Sequence, residues 1–387
     1  MQPTPDDTIV TQALNDFLIQ IRSLGTLVRD EVPRIEPRSR SVLATPEIYG
    51  LRQIVLAGSG DSYIAAACAA PAWRAWTGLP VQAMVSMEAS RYLDLGQAPR
   101  SARARGLLVV SVSSSGEGAR LVEATHRLRA LGAITVATTA NAGSRLGLSA
   151  EKVLDIAIPP STPAPGVRSY AASLLGLYLL GIRLGEVLMR YTMDEANRLR
   201  GQLGELADPL SRAALESEQP VQVHLERWGS FDTADVLGSG PALGSAAFAA
   251  AKLVEAAGVH ASAQDAEEFH HLNYFVDRPQ AVPAVLFASA RAAGATRSRE
   301  LVATLQELGR PHLVVSDDAR FAPAAQQLVL PQVHEFFAPL LHAVPAALLA
   351  AYAAARRDAV HYRGHRGPWR GAQGAGLVRN SVIELDP

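Results

Sequence analysis

Lysine is nearly absent from this chain. Of its 36 Lys+Arg residues only Lys152 and Lys252 are lysine, and the rest are arginine. Cysteine occurs once, as Cys68, which excludes an intramolecular disulfide and any cysteine zinc cage. Charged residues make up 19%, below the usual quarter, and the formal net charge is −1 with acids and bases interspersed. Nucleic acid and anionic membrane both need a concentrated basic field, so neither is expected as a partner. The opening stretch "MQPTPDDTIV" has acids and prolines where a secretory leader needs a basic start and an apolar core. Two apolar runs test the membrane reading. "YAASLLGLYLLGI" stops at Arg183, short of a span, and "FAPLLHAVPAALLAAYAAA" carries Pro339, His342 and Pro345. Both are expected as buried helices of a cytoplasmic protein.

What is present fills more than one core. The 387 residues are 48% hydrophobic, which suits two or three domains. Residues 8–45 have helical spacing. From Ile54 the chain reads as a short apolar strand, a Gly/Ser turn and an Ala-rich helix, and "GLLVVSVSSSGEGARLVEATHRLRALG" repeats that design. "AITVATTA" and "KVLDIAIP" supply further strands. Strands alternating with helices predict an α/β fold with a mostly parallel sheet. The pattern then begins again at "ADVLGSGPALGSAAFAAAKLVEAAG", followed by strands in "AVPAVLFASA", "PHLVVSDDA" and "QQLVLPQV". The expected organisation is a helical lead-in (1–45), a first domain (46–195), a helical linker (196–228), a second domain (229–360) and a C-terminal tail (361–387). The tail is Gly/Arg-rich, with a strand-like "SVIEL" at its end.

Two regions carry chemistry. In "SVSSSGEGARL", Ser113, Ser114 and Ser115 with Gly116 and Gly118 fall where a strand ends and a helix begins. Unpaired first-turn N–H groups, serine hydroxyls and glycines that let backbone approach make such a loop fit for phosphate. "GSGDSY" puts Ser59 and Ser62 at the end of the neighbouring strand, where ligands of open parallel sheets bind. It fails as a dinucleotide fingerprint because Tyr63 replaces the third glycine. "GSGPALG" (Gly238, Gly240, Gly244) lacks the downstream acid that ribose recognition needs. The second region, "AKLVEAAGVHASAQDAEEFHHLNYF", gathers Lys252, Glu255, His260, Asp265, Glu267, Glu268, His270 and His271. Glu and His in one pocket suit proton transfer next to a carbonyl, and Lys252 and Glu255, at i and i+3, share a helix face. Glu267 and His271 at i and i+4 raise a metal site, but no ligand pattern completes it, so no metal or other cofactor is expected.

On these residues the chain resembles tandem sugar isomerase (SIS) domain proteins, over about residues 45–385. The likeness is to the isomerase half of glucosamine-6-phosphate synthase and to its deaminase and deglycase relatives. "GSGDSY" is similar to the family's first loop, "SSSGEGARL" to its phosphate loop, and "KLVE" and "EEFHH" to its catalytic helix and histidine segment, with the same separation between Glu255 and His271. The resemblance implies two tandem SIS domains, each a mostly parallel five-stranded sheet flanked by helices. It also implies that Ser59, Ser62, Ser113, Ser114 and Ser115 hold a sugar phosphate. Glu255 would move a proton between C1 and C2, Lys252 would lie against the sugar hydroxyls, and His271 would assist ring opening across a homodimer interface. Glu268 and Asn380 complete the implied substrate-binding set, and the tail closes over the site.

Three departures narrow that implication. No glutaminase domain or N-terminal cysteine nucleophile is present in this sequence. Gly118 stands where the family has a hydroxyl residue. The family's tail lysine, which forms an imine with the ketose, is matched by Asn380 (or Arg379 in the shifted register). The loss favours substrates that already carry nitrogen, an amino-sugar phosphate or a ketosamine phosphate. A non-catalytic sugar-phosphate sensor is the alternative.

Overall fold

The computed structural model describes residues 5–94, 104–361 and 374–385. Sequence-based expectations for tail residues 362–373 lie outside them. The expected helical lead-in forms two helices, Pro5–Arg22 and Leu24–Ser41. By contacts the chain divides into two units. One holds residues 27–159, 169–205 and 371–387, and the other holds 1–26, 160–168 and 206–370.

The first of these units is built on five parallel strands: β1 (Gln53–Gly58), β2 (Val81–Val85), β3 (Leu107–Val112), β4 (Ile134–Thr139) and β5 (Lys152–Asp155). Their order across the sheet is β2-β1-β3-β4-β5. The other unit has β6 (Thr233–Gly238), β7 (His260–Asp265), β8 (Ala284–Phe287), β9 (His312–Ser316) and β10 (Gln327–Val329). These are also all parallel, in the order β7-β6-β8-β9-β10. Read from the same edge, the two orders are identical, so the internal repeat in the sequence is a repeat of topology. Both units are the expected α/β sheets flanked by helices.

Central strands such as β3 are buried along their whole length, because parallel sheets are covered on both faces. That is why "LLVVSV" is apolar without alternation. Two strands were not legible as strands in the sequence: Val81–Val85, and the segment carrying His260 and Asp265. Both lie at sheet edges, and neither is buried throughout. These two edge strands have no continuous apolar run, so their sequences look like loops.

The repeat extends to the first turn of each unit. Gly60 and Gly240 cap the helices Asp61–Thr77 and Pro241–Lys252 with nearly the same backbone, φ 54° and ψ −132° against φ 59° and ψ −131°. Positive φ at this combination is glycine territory, which fixes the second glycine of the shared Gly-Ser-Gly. The two apolar runs are the helices Val167–Val187 and Ala338–Arg356. Each is long and apolar enough to cross a membrane, and 89% of each apolar window is buried inside the protein. The tail differs from expectation. Gly374–Asn380 is a helix, and residues 382–385 form no strand.

Candidate active site

The serine loops belong to the β1–β5 unit. β1 and β3 pair side by side, so the turns leaving their carboxyl ends are neighbours. In the turn after β3, the Gly116 amide donates to Ser113 Oγ (3.1 Å) and the Glu117 amide to Ser115 Oγ (3.4 Å). The Ser114 carbonyl accepts from the Ala140 amide (3.1 Å) and from Thr139 Oγ1 (3.3 Å), which tethers the loop to the end of β4. Gly116 has φ +69°, and a Cβ there would fall 1.9 Å from Ser144 Oγ, so only glycine closes this turn. Gly118 caps the helix Ala119–Ala130 with no side-chain hydrogen bond, and a Cβ there would meet nothing within 4 Å. The position has room for the hydroxyl residue of the resembling family. Without it, the first turn of the helix is capped by no side chain. In the turn after β1, Ser59 Oγ and Ser86 Oγ share a hydrogen bond of 2.6 Å, and Ser62 lies in the first turn of the helix Asp61–Thr77.

Asn380 comes to this same loop. Arg145 binds the Glu117 carbonyl (3.1 Å) and the Arg379 carbonyl (2.9 Å), and Arg120 donates to Ser381 Oγ (3.3 Å). The residues on both sides of Asn380 are thus held by arginines that follow the serines. Glu123, with no exposed side-chain surface, anchors the rest of the tail. Its carboxylate accepts from Ser90, from Arg91 Nε (2.9 Å), from Arg120 (2.5 Å) and from the Glu384 amide (2.6 Å). Burial acts to raise its pKa. The hydrogen bonds from Arg91, Ser90 and the Glu384 amide and the charge of Arg120 outweigh that and bring it down to about 2. No feature of the sequence marked Glu123, because only tertiary contact joins helix, arginines and tail.

Lys252, Glu255 and His271 belong to the β6–β10 unit. Lys252 is the last residue of the helix Pro241–Lys252 and is 0% exposed. The helix then widens into a π turn, Leu253–Ala257, which carries Glu255 and ends at Gly258 in the left-handed region. Such π turns occur often at functional sites, since the wider turn re-aims side chains. Lys252 Nζ donates to Glu255 Oε2 at 2.5 Å and lies 5.2 Å from the centre of the Phe248 ring. The Glu255 side chain is 45% exposed, so a ligand can reach it. His271 is 65% exposed, and its Nε2 meets Glu267 Oε1 at 3.3 Å. Glu267 in turn pairs with Arg297, and its carboxyl is held below the ordinary range, first by the hydrogen bond with His271. The i,i+4 spacing of Glu267 and His271 is therefore a contact. Glu268 is exposed; its main-chain carbonyl accepts from the His271 amide at 3.1 Å. Among the described residues no group of three His, Cys, Asp or Glu side chains could hold a metal ion.

Residues 47–183 match the SIS domain family model. The glutamine–fructose-6-phosphate aminotransferase (isomerizing) of Mycolicibacterium smegmatis is 27% identical over 320 residues, which are 81% of this chain and 50% of that protein. The chain thus spans about half the length of the curated relatives it matches. Among solved structures, the C-terminal domain of glucosamine-fructose-6-phosphate aminotransferase from Francisella tularensis superposes with a TM-score of 0.76 at 16% identity. The match covers 87% of this chain and 97% of that one. The glucosamine-6-phosphate deaminase of Thermotoga maritima gives 0.65 at 15% identity, covering 89% and 94%. At such identities the structural likeness establishes the fold.

Proposed function

With residues 47–183 a SIS domain as premise, we propose that the protein is a metal-independent, cytoplasmic, homodimeric enzyme acting on an amino-sugar phosphate or a ketosamine phosphate. The reaction is aldose–ketose isomerisation coupled to making or breaking a C–N bond. The observation that carries the reading is the Lys252–Glu255 pair on its π turn. The buried Lys252 amine donating to a reachable carboxylate fixes where that carboxylate sits, and a base that shuttles a proton between C1 and C2 must be both reachable and fixed in place. Ser59, Ser62 and Ser113–Ser115 hold the phosphate, helped by the first turn of the helix that Gly118 caps. His271 assists ring opening and reaches the partner's site in the dimer. Glu268 and Asn380 contribute polar contacts to the sugar.

The pair also bears on the nitrogen chemistry. With Asn380 in the place of the family's tail lysine, Lys252 and the substrate's own amine are the two sources of nitrogen for an imine. The substrate's own amine is the source that an amino-sugar phosphate or ketosamine phosphate brings with it. Water hydrolyses the imine: an amino-sugar phosphate, with nitrogen at C2, yields ammonia and the ketose phosphate, and a ketosamine phosphate, with nitrogen at C1, yields its amine and the aldose phosphate.

Proton NMR in deuterium oxide tests this, with glucosamine 6-phosphate and then with fructose 6-phosphate with and without ammonium. Deuterium at C1 or C2 is expected, and Glu255→Gln should abolish it while sugar phosphate still raises the melting temperature. Undiminished exchange in Glu255→Gln removes Glu255 as the base. A raised melting temperature with no exchange from any of these sugars favours a deglycase for a bulkier ketosamine or the sensor reading.

A further inference from the structure

The connection from β7 to β8 is unusual for a parallel sheet. β7 and β8 both flank β6, so residues 266–283 must cross over β6. Such crossovers are ordinarily helical. This one contains no α-helix, only three short 3-10 turns: Glu268–His270, Asn273–Phe275 and Pro279–Ala281. Irregular backbone against a sheet has to find partners for its polar groups, and a single side chain supplies two of them here. Arg310, 2% exposed, donates Nε–H to the Val282 carbonyl (2.7 Å), reaches the Asn273 carbonyl (3.5 Å) and pairs with Asp235 on β6. The other Asp235 oxygen accepts from Asn273 Nδ2 (2.8 Å) and Ser262 Oγ (2.7 Å). The Arg310 guanidinium also lies 5.3 Å from the centre of the Phe269 ring, and Phe269 is buried in the core with Leu237, Leu286 and Val314.

The two anchored residues, Phe269 and Asn273, stand two positions before and two positions after His271. The tip between and beyond them is bare: Leu272 is 61% exposed and Phe275 71%. At the tip the His271 ring meets the exposed Glu267 and the adjacent His270 is tied to Ala266 and Thr304, so the buried hold on the segment beyond His271 comes from Asn273.

We propose that Asp235, Arg310 and Asn273 form a clamp whose task is to position His271 for the reaction. The proposal rests on the reading of His271 as a participant in ring opening. Stability alone is a weak reason for such a pair, because burying a charged pair often gains nothing over an apolar replacement. Fixed geometry is a reason, because small misplacements of a reacting group cost rate steeply.

The first test needs no substrate. In Asn273→Ala, a half-buried site where the fold should survive, backbone deuterium uptake over 270–276 should rise at least about tenfold while β6 and β8 keep their protection. Unchanged uptake overturns the clamp. The second test uses turnover of glucosamine 6-phosphate. Asn273→Ala and Asp235→Asn should each lower kcat by about tenfold to a hundredfold with KM little changed. Each should add nothing to the loss already caused by His271→Ala, since they act through that residue. Losses that multiply with that of His271→Ala, or wild-type kcat in both clamp variants, overturn the positioning role. Wild-type activity in His271→Ala sinks the reading of His271 itself and leaves the clamp with nothing to position. Raised uptake in Asn273→Ala would still identify the clamp as a structural device.

Discussion

Lys252 shows how much a single position says before and after folding. It is one of only two lysines among 36 basic residues, and its side chain is 0% exposed beside Glu255. The same scale holds two groups whose titration can be predicted. His342 lies within the buried helix Ala338–Arg356, where its Nδ1 shares a hydrogen bond with Ser245 Oγ (3.0 Å) and its ring tilts against Phe287. Burial pushes its pKa down to about 4, against a small opposing pull from Asp317. The folded protein therefore keeps this imidazole neutral while the unfolded chain protonates it below its ordinary value of 6.5. Stability from this source is present above pH 6.5 and is lost as pH falls toward 4, by about 2 kcal/mol between pH 7 and 5. Urea unfolding at the two pH values should show that loss, and His342→Gln should flatten it. An equal slope in the variant would assign the loss to other groups. Cys68 is the second case. Burial pushes its thiol up to about 12, and it shares a 3.3 Å contact with the Tyr170 hydroxyl. A thiol held protonated and out of solvent reacts poorly, so a maleimide should label it only after denaturation. Rapid labelling of the native protein would contradict this.

At the scale of elements, the tail is the part whose sequence was least informative. "SVIEL" has the composition of a strand, yet it forms none. Its chain is held by Arg120, Arg145 and the buried Glu123 carboxylate, and Ile383 packs against the core beneath. Side-chain anchoring of this kind leaves no periodicity for a sequence to display. The pKa of Glu123, about 2 against an ordinary 4.5, gives the latch a sign. A carboxylate with a depressed pKa contributes stability above pH 4.5 that disappears as pH falls toward 2. Glu123→Gln should make residues 376–385 exchange backbone deuterium faster at neutral pH, with the loop from Ser113 to Gly118 affected next. Tail protection equal to that of the unaltered chain would show that the contacts to Arg120 and Arg145 suffice. The edge strands β2 and β7 teach the complementary lesson. Their partners on one side only, and their mixed burial, gave them the look of loops, although backbone hydrogen bonding places them firmly in the sheets.

For the whole molecule, a formal net charge of −1 with ten histidines means that modest protonation brings the chain to zero charge just below neutrality. Solubility should pass through a minimum at roughly pH 6–7 and recover on either side, since proteins near zero net charge repel one another least. Turbidity at fixed protein concentration measures this, and a monotonic curve would point to a charged patch outweighing the net balance. The sequence alone determined the α/β class, the duplication, the central strands, the serine loops and the Lys252–Glu255 pair. Each of these is written locally, in apolar runs, Gly-Ser turns or spacing along one helix. Tertiary structure alone decided the edge strands β2 and β7, the π turn under Glu255, the Glu123 latch and the Arg310 clamp. In most of these the partners are brought together by sheet order and helix packing from distant parts of the chain, and in the π turn by how packing re-winds a helix end. No local pattern specifies either.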